Sequence, residues 1–127
     1  MKNKKLAFLF PGQGSQYKGM GNNIYNKYKI VRETYDKASD ILKYDLKKIS
    51  FDLQSSDINR TIYTQPAIFT YNIAIFKILQ KSNFWPNCVA GHSLGEFSAL
   101  VSINCIDFED ALRIIKIRSE KMEKCVI

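Results

Sequence analysis

The sequence holds few of the residues that bind metals or form disulfides. Its 127 residues include one histidine and three cysteines, and no two of Cys88, Cys105 and Cys125 form a CxxC pair. Three thiols cannot all pair with one another, so the pattern favours free thiols in a reducing compartment. We therefore expect no metal site and no structural disulfide, and we find no motif that calls for a bound cofactor.

Long apolar runs, repeats and low-complexity tracts are also missing. The apolar run at 6–10 stops at Pro11, which is too short for a secretion signal, and the stretch 62–79 is interrupted by polar residues too often to span a membrane. Hydrophobic residues make up 46% of the chain and charged residues 24%, as in ordinary globular proteins. The composition predicts one domain in the cytoplasm, with no membrane as partner.

Acidic residues are fewer than basic ones. The chain has 19 lysines and arginines against 12 aspartates and glutamates, which gives a formal net charge of +7. Such a charge attracts anionic partners over long distances. The lysines are dispersed, and neither a groove-reading motif nor an aromatic platform accompanies them, so no nucleic acid is expected. Phosphorylated carriers and acidic proteins fit the charge equally well.

Strand and helix patterns alternate along the chain. The apolar run 6–10 predicts a strand buried on both faces of a parallel sheet. Residues 21–42 have helical spacing, as one bent helix or two, and 45–64 read as a connector with one short helical turn. Thr64 is expected to cap a helix that tolerates Pro66 in its first turn and ends near Ser82.

The second half continues the alternation. Residues 88–90 predict a second strand, 94–103 a helix, and Asp107 the cap of a final helix that runs toward Cys125. Strands that alternate with helices imply an α/β fold with a parallel sheet and flanking helices. Two visible strands are too few for a finished sheet, so the fold is expected to be cut short.

The most informative motif is the pentapeptide GHSLG at 91–95, between the second strand and the helix after it. A serine hydroxyl becomes a nucleophile when a sharp strand-to-helix turn presents it to base, substrate and oxyanion donors. Glycines two before and two after Ser93 let such a turn close. The pattern predicts a nucleophilic serine; the alternative is an ordinary glycine-rich turn with a solvent-facing serine.

A second glycine-rich turn, PGQGSQ at 11–16, follows the first strand directly. It lacks both the lysine of a P-loop and the GxGxxG spacing, so nucleotide binding is not expected. Acyl transfer needs two donors at the carbonyl oxygen, one after the nucleophile and one from a neighbouring loop. The backbone N–H groups of Leu94 and Gln13 suit those roles, and the alternative is a plain tight turn.

Two arginines lie on different sides of the final helix. Arg113 falls among charged residues on a face that we expect to be solvated. Arg118 falls on the apolar stripe, four residues after Ile114 and four before Met122. A guanidinium that faces the interior needs an anion. Either it pairs with a buried acid as a structural strut, or it awaits a substrate carboxylate.

His92 directly precedes the serine, which invites its assignment as the general base. Neighbouring side chains at the end of a strand point in different directions, and triad bases normally come from a distant segment. We therefore expect His92 to line the pocket or to serve as a hydrogen-bond partner, and a structural histidine is the alternative.

Four motifs together give the chain a family resemblance. FPGQGSQ at 10–16, TQPA at 64–67, GHSLGE at 91–96 and IRSEKM at 117–122 resemble, in order and spacing, the malonyl-CoA:acyl carrier protein transacylases. The acyltransferase domains of fatty acid and polyketide synthases belong to the same family. The resemblance implies a hydrolase-like acyltransferase core and an enzyme of fatty acid biosynthesis.

The resemblance also implies the chemistry. Ser93 would be acylated by malonyl-CoA and would pass the malonyl group to the phosphopantetheine thiol of acyl carrier protein. Arg118 would hold the malonyl carboxylate, Gln13 and Leu94 would build the oxyanion hole, and His92 would line the pocket. No cofactor is implied, since the CoA thioester is a substrate.

The length departs from the family. Members are more than twice as long, and the histidine base and a small inserted subdomain are expected after residue 127. Residues 1–127 therefore read as the N-terminal part of a single acyltransferase domain, without a second domain. A second polypeptide that supplies the missing half would restore the site. The rival interpretations are a GxSxG thioesterase or esterase, and an incomplete remnant that binds acyl carrier protein or CoA without turnover.

Overall fold

The computed structural model describes residues 4–125 of the chain. Within them, the order of elements is β1 (Ala7–Phe10), α1 (Asn22–Lys27), α2 (Lys29–Leu42), α3 (Leu46–Phe51), a 3-10 turn (Asp57–Asn59), α4 (Thr61–Lys81), β2 (Cys88–Gly91), α5 (Gly95–Ser102) and α6 (Phe108–Lys124). The two strands pair in parallel, with Ala7 opposite Cys88 and Phe10 opposite Gly91. The predicted α/β fold, a parallel sheet with flanking helices, is confirmed.

Helices pack on the sheet face that carries Phe8 and Phe10. The rings of both phenylalanines meet Phe76 of α4 edge to face, with centroids 6.0 and 6.3 Å apart, and Ala99 of α5 joins the cluster. Leu9 points to the opposite face because side chains alternate along a strand, and it is 75% exposed. The expectation that the first strand is buried on both faces is therefore wrong for the described chain.

The segment predicted as one bent helix or two is two helices. Tyr28 has extended backbone angles, φ −119° and ψ 124°, and separates α1 from α2. Its N–H donates the last hydrogen bond of α1, to the Ile24 carbonyl at 2.9 Å, and its carbonyl accepts the first of α2, so the extended residue ends one helix and begins the next. The inner face of α2 is made by the residues at the predicted spacing, Val31, Tyr35, Ala38 and Leu42.

The helical turn expected in the connector is the complete short helix α3. Asp45 caps it, since its carboxylate accepts hydrogen bonds from the backbone N–H groups of Lys47 and Lys48 at 3.1 and 3.4 Å. The cap was readable in the sequence, but a helix of six residues is too short to show an apolar period.

Helix α4 begins earlier than predicted, at Thr61 with Arg60 as its N-cap, and it ends at Lys81 as expected. The assignment of Thr64 as the cap is wrong. Its hydroxyl is buried and lies within hydrogen-bonding distance of the carbonyls of Ile58 and Arg60. Thr64 therefore ties the first turn of α4 to the preceding 3-10 turn.

Pro66 lies within α4 and has a specific consequence. Proline has no backbone N–H, so the carbonyl of Ile62, four residues earlier, lacks its usual helical partner. The Ser119 hydroxyl of α6 donates to the Lys116 carbonyl of its own helix at 2.9 Å and lies 3.4 Å from the Ile62 carbonyl. The gap in the hydrogen bonds of α4 is thus the place where Ser119 of α6 packs against α4.

The main core lies between α2, α4 and α6. Phe69 of α4 stacks on Phe108 of α6 with ring centroids 5.2 Å apart, and Tyr35, Ile73 and Leu112 are fully buried nearby. This helical layer supports the sheet and the loops that follow its strands. No helix in the described range combines the length and hydropathy needed to cross a membrane.

Candidate active site

Ser93 lies at the turn between β2 and α5, and its side chain is exposed. Its φ of +52° is in the left-handed region. For a residue other than glycine this conformation costs about 1–3 kcal/mol, and such strain is common at active sites. The strand–turn–helix context that the GxSxG motif requires is therefore present.

The two glycines of the motif allow close backbone contacts. A Cβ on Gly91 would overlap the backbone of Gly95 and Glu96, and a Cβ on Gly95 would overlap the carbonyl oxygens of Phe10 and Pro11. The helix after the turn therefore packs directly on both strand ends. This contact is the physical reason for glycine at both positions.

The loop 11–16 lies against this turn. A Cβ on Gly12 would be 2.5 Å from the His92 carbonyl oxygen and 3.5 Å from the Leu94 nitrogen. The Ser15 hydroxyl donates to the Gly12 carbonyl at 2.9 Å, and the Gln13 side chain donates to the Thr61 hydroxyl at 3.0 Å. The loop is thus closed on itself and fastened to the start of α4.

Two backbone N–H groups remain free, one at the turn that carries Ser93 and one in the loop 11–16. In the range 4–125, the N–H groups of Gln13 and Leu94 donate no hydrogen bond to another protein group. They belong to neighbouring segments, since a Cβ on Gly12, next to Gln13, would lie 3.5 Å from the Leu94 nitrogen. The arrangement suits an oxyanion hole, and the assignment of the two donors stays a prediction.

Asn72 of α4 joins the loop 11–16 to α5, a role that no motif in the sequence indicates. It is 6% exposed, and its side-chain amide donates to the Pro11 carbonyl at 3.2 Å and to the Ser98 hydroxyl at 3.1 Å. One buried side chain thereby links α4, the loop 11–16 and α5.

The structure brings Arg118 to the serine. Its Nη2 lies 3.2 Å from the Ser93 Oγ, its Nη1 lies 2.6 Å from Gln65 Oε1, and its Cζ lies 5.8 Å from the centre of the Phe97 ring. All these groups are neutral. Of the two readings of Arg118, the pairing with a buried acid is not what the structure shows.

The apolar stripe expected around Arg118 is displaced. Ile114 and Met122 are 44% and 42% exposed, whereas the buried face of α6 consists of Phe108, Ala111, Leu112, Ile115 and Ser119. Arg118 lies at the border of that face and is half-buried. Arg113 is exposed and pairs with acids on its own helix, as expected.

Gln65 is the site residue that sequence reasoning missed. Its side chain is fully buried, its Oε1 accepts from Arg118, and its Nε2 donates to the Met122 Sδ at 3.3 Å. The available signal was a polar residue in an apolar stretch, next to a proline. The residue also lies in the TQPA motif at 64–67, but neither signal gives it a role.

His92 is exposed, and its backbone N–H donates to the Phe10 carbonyl at 3.1 Å. With Leu9, Pro11 and Ala90 it lines an open hollow of about 550 Å³. Ser93 and Arg118 are not among the residues around this hollow. Within residues 4–125, no cluster of three histidine, cysteine or acidic side chains could hold a metal ion.

The model of one protein family matches nearly the whole chain. This family is described as the acyl transferase domain, and its model covers residues 7–127. The chain belongs to this family. The malonyl CoA-acyl carrier protein transacylase of Escherichia coli K12 is 42% identical over 123 residues, which are 96% of this chain and 40% of that protein. The resemblance seen in the four motifs is confirmed.

Solved structures similar to this chain carry the same kind of name. The acyl carrier protein S-malonyltransferase of Vibrio cholerae superposes with a TM-score of 0.91 at 40% identity, over 98% of this chain and 41% of that chain. A malonyl-transacylase solved in complex with its type II polyketide synthase acyl carrier protein gives a TM-score of 0.91 at 38% identity, over 98% and 40% of the two chains. The chain therefore spans about 40% of the length of these relatives.

Proposed function

We propose that this chain forms part of an enzyme that transfers a malonyl group from malonyl-CoA to the phosphopantetheine thiol of acyl carrier protein, in fatty acid biosynthesis. The observation that carries the proposal is the guanidinium of Arg118, 3.2 Å from the Ser93 Oγ and without an acidic partner in the described chain. The named activities of the relatives and the solved complex with an acyl carrier protein support the same substrate and partner.

In the proposed reaction, the Ser93 Oγ attacks the thioester carbonyl of malonyl-CoA. The C–O bond forms, the C–S bond breaks, and CoA leaves as the thiol, which gives a malonyl-serine ester. The serine proton passes to a histidine base of the whole enzyme, which returns it to the sulfur of the departing CoA. The thiol of the carrier then attacks the ester and regenerates Ser93, so the cycle consumes no cofactor.

Three groups of this chain stabilise the proposed intermediates. The backbone N–H groups of Gln13 and Leu94 donate to the oxygen of the tetrahedral intermediate. Arg118 binds the free carboxylate of the malonyl group, which replaces the Ser93 Oγ as the partner of its Nη2. His92 forms a wall of the adjoining hollow.

The test is a search for a covalent adduct. The chain is mixed with malonyl-CoA, and mass spectrometry measures the malonyl group on Ser93, with Ser93→Ala as the blank. Arg118→Ala should lower malonyl loading by about tenfold or more, since a charge-assisted hydrogen bond is lost, and should raise acetyl loading relative to it. Arg113→Ala, on the exposed face of the same helix, is the matched control and should leave loading unchanged.

Each rival predicts a different result. A thioesterase or esterase releases malonate to water and gains nothing from acyl carrier protein. A remnant binds CoA or the carrier but forms no adduct, either alone or with a second polypeptide that supplies the missing half. Malonyl loading that Arg118→Ala leaves unchanged would contradict the proposed carboxylate site.

A further inference from the structure

We infer that Gln65 is a positioning residue that sets selectivity: it holds Arg118 through a neutral acceptor and so leaves the positive charge of the guanidinium for an anionic acyl group. The inference rests on the proposed function, because it concerns the same serine and the same arginine. It adds a residue whose lack of charge, as well as its shape, decides which acyl-CoA is bound.

The contacts of Gln65 define its orientation. A guanidinium has only donors, so the side-chain atom that faces Arg118 at 2.6 Å must be the amide oxygen. The amide nitrogen then faces the Met122 sulfur at 3.3 Å, and sulfur is a weak acceptor. Each end of this fully buried amide thus has a partner on α6.

The neighbouring residues fix the distance between the two helices at this point. Pro66 follows Gln65, and the Ile62 carbonyl that it leaves free lies 3.4 Å from the hydroxyl of Ser119, which follows Arg118. Glu123 of α6 also pairs with Arg60 at 3.1 Å, just before α4 begins. These links lie on the side of the Gln65–Arg118 contact nearer the start of α4, and on its other side Phe69 of α4 stacks on Phe108 of α6.

The chemistry of the acceptor matters as much as its position. A carboxylate at residue 65 would hold the guanidinium in the same place, but it would neutralise the charge. A malonyl carboxylate would then meet an arginine that is already paired, and would have to compete with a buried anion for it. An amide positions the arginine without that competition.

The experiment compares three substitutions on α4. Gln65→Glu adds the competing charge, Gln65→Met keeps the size and removes the acceptor, and Gln80→Glu adds the same charge to the same helix. Gln80 is fifteen residues from Gln65, which is about 22 Å along the helix and beyond the screening length at physiological salt. Dissociation constants for malonyl-CoA and acetyl-CoA are measured by calorimetry for each variant, and the NMR signals of the Arg118 guanidinium report its order.

Gln65→Glu should weaken malonyl-CoA binding by about tenfold or more and leave acetyl-CoA binding nearly unchanged, while the Arg118 signals stay ordered. Gln65→Met should also weaken malonyl-CoA binding, but with faster rotation of the guanidinium, because its anchor is lost. Gln80→Glu should match the wild type in every measurement.

Two failures are distinguishable. If the wild type binds malonyl-CoA no better than acetyl-CoA, the proposed function fails. If the wild type prefers malonyl-CoA and Gln65→Glu keeps that preference, the inference about Gln65 is overturned while the proposed function stands. Circular dichroism of each variant shows that it is folded, and should Gln65→Met not fold, Gln65→Glu alone decides.

Discussion

The left-handed backbone at Ser93 directs its side chain away from both the strand before it and the helix after it. That geometry depends on the residues around the serine more than on the serine itself, because the turn can close only where α5 reaches the strand ends. Gly95 makes the closest of these approaches, to the carbonyls of Phe10 and Pro11. The serine is thus exposed because Gly91 and Gly95, which have no side chains, let the turn close.

We expect Gly95→Ala to lower the free energy of unfolding by about 1–3 kcal/mol, the usual cost of an added methyl group in a packed site. The backbone of β1 or of α5 has to move, since carbonyl oxygens cannot rotate away as a side chain can. Urea denaturation followed by circular dichroism measures the change. Leu100→Ala, at an exposed position of the same helix, is the control. Equal stability of Gly95→Ala and the wild type would contradict the close packing.

At this scale, the sequence predicts residues whose spacing forms a motif. Ser93 and its glycines were recognisable because the turn needs them at fixed separations. Gln65 was not, because its role depends on a contact with Arg118 that lies 53 residues away along the chain. A side chain that acts by holding another leaves little local signal.

At the scale of the elements, the buried amide of Asn72 joins three parts of the site. We expect Asn72→Leu to cost about 1–3 kcal/mol, because it leaves the Pro11 carbonyl and the Ser98 hydroxyl without their donor in a buried position. Chemical denaturation of Asn72→Leu, Ser98→Ala and the double variant measures the coupling. Asn26→Leu, at an exposed position of α1, is the control. Strictly additive effects of the two substitutions would show that the pair is not coupled.

The predicted elements exist, and their boundaries moved where tertiary contacts decide them. Thr64 looks like a helix cap in the sequence, yet the cap of α4 is Arg60, four residues earlier, and the Thr64 hydroxyl instead bonds to the Ile58 carbonyl of the 3-10 turn. Arg118 was placed on the apolar stripe, but the buried face of α6 is rotated away from Ile114, which is exposed. Helical spacing predicts that α6 has a buried apolar face. The packing of α6 against α4 decides which residues lie at the border of that face.

At the scale of the whole molecule, the alternation of strands and helices was enough to predict a parallel α/β fold. It could not predict which sheet face the helices cover. Leu9 is as apolar as Phe8, and its exposure follows from the placement of α4 and α5 alone. That the chain spans about 40% of its relatives fits the prediction that the sheet is cut short.

The net charge of +7 leads to a prediction for the whole molecule. Malonyl-CoA carries several phosphate charges, whereas malonyl-pantetheine carries only its carboxylate. Salt shortens the reach of charges from about 30 Å at 0.01 M to about 8 Å at 0.15 M. We therefore expect binding of malonyl-CoA to weaken severalfold over that range and binding of malonyl-pantetheine to change much less. Calorimetric titrations of both ligands at several salt concentrations measure the two slopes. Equal slopes would show that the dispersed lysines contribute nothing to CoA binding, and that the attraction comes from Arg118 alone.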